Sequence, residues 1–399
     1  LSLPFRAVKE KLERLPSILP ASALVEFGHL KTGSQLLAGK LEPIEQDDPL
    51  KGIPVKRDRN VMRGRSTISI DGGSNFWTLP FGTLLLGRAG AAKRFFLGND
   101  SPPIEYLLSC ERYPPFFLYY SKLIFGHSEG FVDEDIDDLK SLVRDNVDPF
   151  EIGSFISLLR TYAENETTLE ALNCLGESGI ILRDGNLYGP RTRWDADPKH
   201  SMASSFQQIS KLEERYYRVF LENDAIVAGI VKRPSQNLVV EYLGGDGEEK
   251  LDFSFPTDCS LYAYKLKPGE RSIAFHYRSP RVFGSTPYAS PISYVFYYFK
   301  PTKWAAPFRV EVPDYCWERW GIGEDFIPRA IQTMSLSSAA EGVPQPIMCI
   351  HRMVRVERST LLIHLRRLIS EWIKNRGTED ARLSLGHLAS EYFVGSEIS

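Results

Sequence analysis

Two aspartates in this chain share one local pattern. Asp71 stands in STISIDGGS and Asp184 in IILRDGNL, each closing an apolar, strand-like run directly before glycine. A carboxylate at a strand terminus is held by a rigid element yet faces an open edge, where a metal-ligating acid works best. Asp-Gly is also an ordinary turn signal, and Asp246-Gly247, without the apolar lead-in, reads as a turn and nothing more. Between the two aspartates, LLRTYAENE offers Glu164 and Glu166. Glu164 follows Arg160 by four residues, so the two share a helical face. That spacing fits a surface ion pair, or a third carboxylate lowered over the strand ends. Hard divalent cations prefer oxygen ligands, and clustered carboxylates supply both ligands and charge. His351 follows the stiff GVPQP stretch and is expected at the start of a basic helix, projecting from its N-terminus. A lone histidine is more often a plain polar helix residue. Lys232 closes the apolar run GIVK, placed either to neutralise a phosphate oxygen or carboxylate, or simply to keep a strand end soluble.

Together these groups suit phosphodiester hydrolysis. That reaction needs a nucleophilic water, charge neutralisation on the phosphoryl oxygens and a stabilised leaving group. Two divalent ions about 3.5–4 Å apart meet all three needs. On this reading Asp71 anchors both metals, Asp184 and Glu164 complete the ligand set, and His351 ligates one ion or orients the attacking water. Lys232 offsets charge near the scissile phosphate. Mn2+, with Mg2+ as the alternative, suits mixed oxygen and imidazole ligands better than Ca2+ does. The acidic run Asp133, Glu134, Asp135, Asp137 and Asp138 lacks the glycine an EF-hand loop needs, so it reads as a solvated helix start.

The elements that must position these residues follow from pattern. Residues 1–65 read as an arm, with an amphipathic helical face at Val8, Leu12, Leu15 and Leu19 and a basic strip at Lys51, Lys56, Arg57, Arg59, Arg63 and Arg65. That strip is either a solvated linker or a surface that contacts phosphates. From Ser66 to Asp100 the pattern predicts three short-spaced strands, with a glycine turn after Asp71. Residues 100–150, punctuated by Pro102, Pro103, Pro114 and Pro115, read as an insertion. A helix is expected over 151–176, a buried strand before Gly185, another strand over AIVAGIV, and a half-buried strand in FRVEVP. A basic helix is expected over 351–376. The fold class is α/β, a mixed sheet flanked by helices with an N-terminal helical arm and an inserted segment.

The 399 residues bound the function further. Forty-three per cent are hydrophobic, which excludes a mainly disordered chain, and the net charge of −3 excludes nucleic-acid binding through bulk positive charge. The five cysteines are scattered and form no CxxC pair, so zinc-ribbon and thioredoxin readings fail and free thiols in a reducing, cytoplasmic setting are expected. No apolar run is long enough to span a membrane, and the charged N-terminal stretch is not a secretory leader.

Six short motifs, taken in order, resemble the NurA nuclease family: IDGGS, LLRTYAE, LRDGNL, GIVKRP, the pair YVFYYFKP and FRVEVP, and GVPQPIMCIH ending at His351. The resemblance implies a ribonuclease H-like core over 66–399, a manganese-dependent action on DNA ends, a homodimer, and a hexameric HerA-like ATPase partner that feeds DNA in repair or defence. It also places the catalytic set on Asp71, Glu164, Asp184, His351 and Lys232. Val343 stands where the family usually carries tyrosine, and Asn186 where it carries serine. Two other classes compete. A catalytically silent adaptor would dock an ATPase on DNA and need none of these acids. A two-carboxylate glycosidase would place its acids about a sugar cleft and be indifferent to chelators.

Overall fold

The computed structural model describes residues 40–58, 60–79, 82–96, 104–108, 116–122, 128–132, 152–175, 179–187, 212–213, 215, 217–244, 255–278, 293–321, 325–336, 342–356 and 359. The Leu-rich N-terminal face, the 133–138 acids and nearly all of the basic helix expected beyond His351 lie outside them.

One mixed sheet organises the chain. Its strands are β1 (Lys40–Pro43), β2 (Ile53–Pro54), β3 (Ser66–Leu79), β4 (Gly82–Phe95), β5 (Ile104–Leu108), β6 (Phe116–Lys122), β7 (Ser128–Val132), β8 (Ile180–Asp184), β9 (Ile226–Val231), β10 (Glu270–Arg271), β11 (Phe275–Arg278), β12 (Ser293–Lys300) and β13 (Phe308–Pro313). The main path runs β1-β11-β12-β13-β9-β8-β3-β4-β6-β7. The helices are α1 (Ile152–Leu172), α2 (Leu238–Gly244), α3 (Asp258–Lys265), α4 (Asp314–Trp320), α5 (Phe326–Ser335) and α6 (Gln345–Val354). β3, β8 and β9 run parallel to one another, and β13 and β4 flank them antiparallel. IILRD and IVAGIV are near-continuous apolar runs because a central parallel strand is covered on both faces.

Side chains alternate between the two faces of each strand, and the register carries that alternation across the sheet. On one face Val295, Tyr297, Phe299 and Val310 join a buried core with Phe326, Ile327, Ile331 and Ile347, so α4, α5 and α6 cover it. On the other, Phe296 and Tyr298 pack with Val239, Leu261 and Tyr262 of α2 and α3. α1 lies on this second face, against β3, β4 and β8.

Four sequence expectations change. Residues 40–65 are woven into the fold rather than forming an arm: β1 pairs with β11, β2 pairs with β10, and Val55 and Met62 are buried in the core. The apolar residues between the basic ones decide this, since burying them fixes the segment. The basic strip is partly spent on internal contacts, with Lys51 on Asp47 and the Arg65 guanidinium over the Phe326 ring. The expected glycine turn after Asp71 does not exist. β3 runs straight through Gly72 and Gly73 while pairing with β4, and KRF is the end of β4 rather than a third strand. His351 is not at a helix start. α6 begins at Gln345, with Pro344 before it and Pro346 in its first turn, so His351 occupies the last turn. Proline is at home in a first helical turn, where its missing N–H costs nothing. The stretch read as an insertion contains β5, β6 and β7, which extend the sheet beyond β4.

Candidate metal centre

The parallel pairing of β3 with β8 ends at Ile70 and Arg183. The next residues on each strand are Asp71 and Asp184. By register they point to the same face, the one that α6 covers. Gly90 of β4 lies opposite Asp71, and a Cβ there would meet Val354 of α6 at 2.9 Å. β9 continues the row: Ile230 pairs with Asp184, so Lys232, two residues on, leans the same way.

The side chains meet accordingly. His351 Nδ1 lies 2.7 Å from Asp71 Oδ2 and 3.1 Å from Asp184 Oδ2. Lys232 Nζ donates to Asp184 Oδ2 at 2.5 Å, and the Gly72 N–H donates to Asp71 Oδ1 at 2.7 Å. One ligand atom from each of Asp71, Asp184 and His351 lies within 4.8 Å of the others, the one such cluster among the described residues. The His351 side chain is 47% exposed while Asp71 is buried, so the group opens to solvent on the histidine side.

Electrostatics single out Asp71. Burial, then the negative charges of Asp184 and Glu164 and a hydrogen bond with Asp184, push its carboxyl up to about 9 against the pull of Lys232. Burial and neighbouring negative charge disfavour the ionised Asp71 carboxylate, and a bound cation would relieve both. Two carboxylates and an imidazole at this spacing fit a divalent ion with a taste for mixed oxygen and nitrogen ligands, such as manganese.

Glu164 reaches the site from the opposite face. A Cβ on Gly72 would meet Glu164 Oε1 at 2.5 Å and Arg160 Cγ at 2.6 Å, so α1 crosses directly beneath the strand. Its carboxylate is held by Arg160 Nε at 3.3 Å and Arg183 Nη2 at 3.5 Å. Burial raises the Glu164 carboxyl, with both arginines pulling the other way. Of the two helix acids, Glu164 is the one packed on Gly72 and acting on Asp71. The structure thus brings Asp71, Asp184, His351 and Lys232 together on one face, with Glu164 behind the sheet. Val343 is buried in the core.

Sequence reasoning passed over Arg183 and Glu311. Arg183 is buried, bridging Glu164 and the Leu187 carbonyl. Its signal was an arginine inside an otherwise apolar strand. Glu311 is equally buried, and its carboxylate accepts from the Leu187 N–H. The alternation in FRVEVP suggests a half-exposed strand, whereas all six residues are buried.

The NurA domain model matches residues 106–356, more than half of the chain. The chain belongs to the NurA family. The match includes Glu164, Asp184, Lys232 and His351, while Asp71 precedes it and joins the site through the sheet. The fold resembles the crystal structure of the NurA nuclease from Sulfolobus solfataricus, with TM-score 0.50 and 12% identity over 94% of this chain and 99% of that one. A NurA crystal structure with manganese gives TM-score 0.40 at 10% identity, covering 93% of this chain and 99% of that one. Another, bound to dAMP and manganese, gives 0.35 at 11%, covering 96% of this chain and 100% of that one. No curated protein matches the chain significantly. No helix among the described residues is long and apolar enough to cross a membrane.

Proposed function

We propose that this NurA-family protein is a metal-dependent deoxyribonuclease that hydrolyses phosphodiester bonds. The observation that carries the reading is the meeting of Asp71, Asp184 and His351, from three separate elements, within 4.8 Å on the sheet face that α6 covers. These three residues hold the metal, with Mn2+ preferred over Mg2+ and two ions in the working site. Bound divalent ions supply charge neutralisation at the phosphoryl oxygens and a water acidic enough to attack near neutral pH. Lys232 sets a positive charge beside Asp184, where it offsets the phosphate. His351 Nδ1 serves as ligand, and its exposed ring edge borders the path of substrate and water. Glu164 completes the acid set from behind Gly72.

Membership in the family and the slightly negative net charge support an assembly in which a HerA-like hexameric ATPase threads DNA to a homodimer of this chain. Four cysteines among the described residues, Cys174, Cys259, Cys316 and Cys349, are free thiols, which fits a cytoplasmic setting. DNA end processing in repair or defence is the role that follows.

The test is cleavage of end-labelled DNA with Mn2+ against EDTA. Wild type is expected to cut only with metal, and Asp71→Ala and Asp184→Ala to lose at least about a hundredfold in rate, the scale on which second-sphere changes alone already cost tenfold or more. Retained manganese-dependent cleavage in Asp71→Ala would remove Asp71 from the mechanism. No cleavage by wild type would leave the silent adaptor as the better reading, and cleavage unaffected by EDTA would point away from metals altogether.

A further inference from the structure

The turn that follows Asp184 is gripped from the face opposite the metal centre. Gly185 takes φ +106°, a conformation that favours glycine, and its N–H donates to Ile230 O at 2.9 Å. Gly229 lies so close beneath that a Cβ there would meet Leu187 N at 2.6 Å and Gly185 O at 2.8 Å. Arg183 Nη1 donates to Leu187 O at 2.8 Å, and the Leu187 N–H donates to Glu311 Oε2 at 2.8 Å. The other oxygen of Glu311 faces Arg309 Nη2 at 2.6 Å, with both side chains 2% exposed. Arg309 also reaches Gln236 Oε1, and Asn186 Oδ1 at 3.5 Å.

A buried ion pair of this kind rarely adds stability over an apolar pair of similar volume. What an apolar pair cannot do is accept the Leu187 N–H. We propose that Glu311 is a positioning residue for the metal centre: its carboxylate fixes the 185–187 turn, and thereby the direction of the Asp184 side chain, while Arg309 neutralises it in the core. This rests on the reading of Asp71, Asp184 and His351 as metal ligands. Glu311 itself touches neither metal nor substrate.

Two double variants isolate the acceptor. Arg309→Met with Glu311→Gln removes both charges and keeps an oxygen for the Leu187 N–H. Arg309→Met with Glu311→Leu removes both charges and the acceptor. Mn2+ affinity is read by titration calorimetry and stability by thermal unfolding in EDTA. The glutamine variant is expected to bind Mn2+ within about threefold of wild type, and the leucine variant about tenfold or more weakly, the usual scale for losing an outer partner of a ligand. Equal affinities in the two variants overturn the proposal, because a merely structural pair would move both alike. Wild type failing to bind Mn2+ would instead strike the metal-site reading itself. Hydrogen exchange on the unaltered protein gives a check independent of how the variants fold. The Leu187 amide should be as protected as that of Gly185, and rapid exchange there overturns the proposal.

Discussion

Asp71 shows how surroundings change the proton affinity of an ordinary residue type. In water its carboxyl would be ionised at neutral pH. Here burial and two neighbouring acids push it up to about 9, so the metal-free protein holds a proton there. The sign of the stability effect follows. Between 3.8, the ordinary value, and about 9 the folded state binds more protons than the unfolded one, so stability falls as pH rises through that window. Asp71→Asn should therefore raise the melting temperature of metal-free protein at pH 8 by several degrees while leaving it little changed at pH 4, as thermal unfolding in EDTA would show. Metal binding must displace the same proton. Mn2+ affinity should thus rise with pH up to about 9, by roughly tenfold per pH unit if one proton leaves. Calorimetry in buffers of different ionisation enthalpy counts that proton, and a flat pH dependence would contradict the assignment.

At the level of elements, the two glycines after Asp71 divide the work. Side chains on successive strand residues face opposite ways, so Gly72 lies under α1 and Gly73 under α6. A Cβ on Gly73 would fall inside the Val354 carbonyl oxygen, a backbone atom that cannot turn aside. Gly73→Ala should shift α6 and take His351 away from Asp71, with loss of Mn2+ binding and cleavage. Gly72→Ala meets side-chain rather than backbone atoms, those of Glu164 and Arg160 on the face away from His351, and should weaken Mn2+ binding less. Mn2+ titration of the two variants ranks them, and a harmless Gly73→Ala would show that the close approach of α6 is unnecessary.

At the level of the whole molecule, net charge matters more than any one contact. With 48 basic and 51 acidic residues the protein has no general attraction for DNA. On the proposed reading, DNA would be met by local basic surface such as Lys56, Arg57 and Arg63, all exposed. Affinity for DNA should be weak and fall about tenfold or more between 50 and 200 mM salt, even for as few as two phosphate contacts. Fluorescence anisotropy across a salt series measures this, and tight binding that persists at high salt would contradict it.

Much of the site was readable in the chain. The apolar runs that lead into Asp71 and Asp184, the Arg160-to-Glu164 spacing and the six ordered motifs need only local pattern, since strand and helix periodicities follow from backbone geometry; only Asp184 proves to end its strand. Pattern could not say that β3 continues through Gly72 and Gly73, because two glycines read as a turn until β4 is seen pairing with every residue of the strand. Nor could it place 40–65 in the core, put His351 at the end of α6 rather than its start, or show that Glu164 approaches from the face of β3 opposite Asp71, Asp184 and His351. Those outcomes depend on partners distant in the chain, 280 residues in the case of His351 and Asp71, and on which face each strand turns toward them.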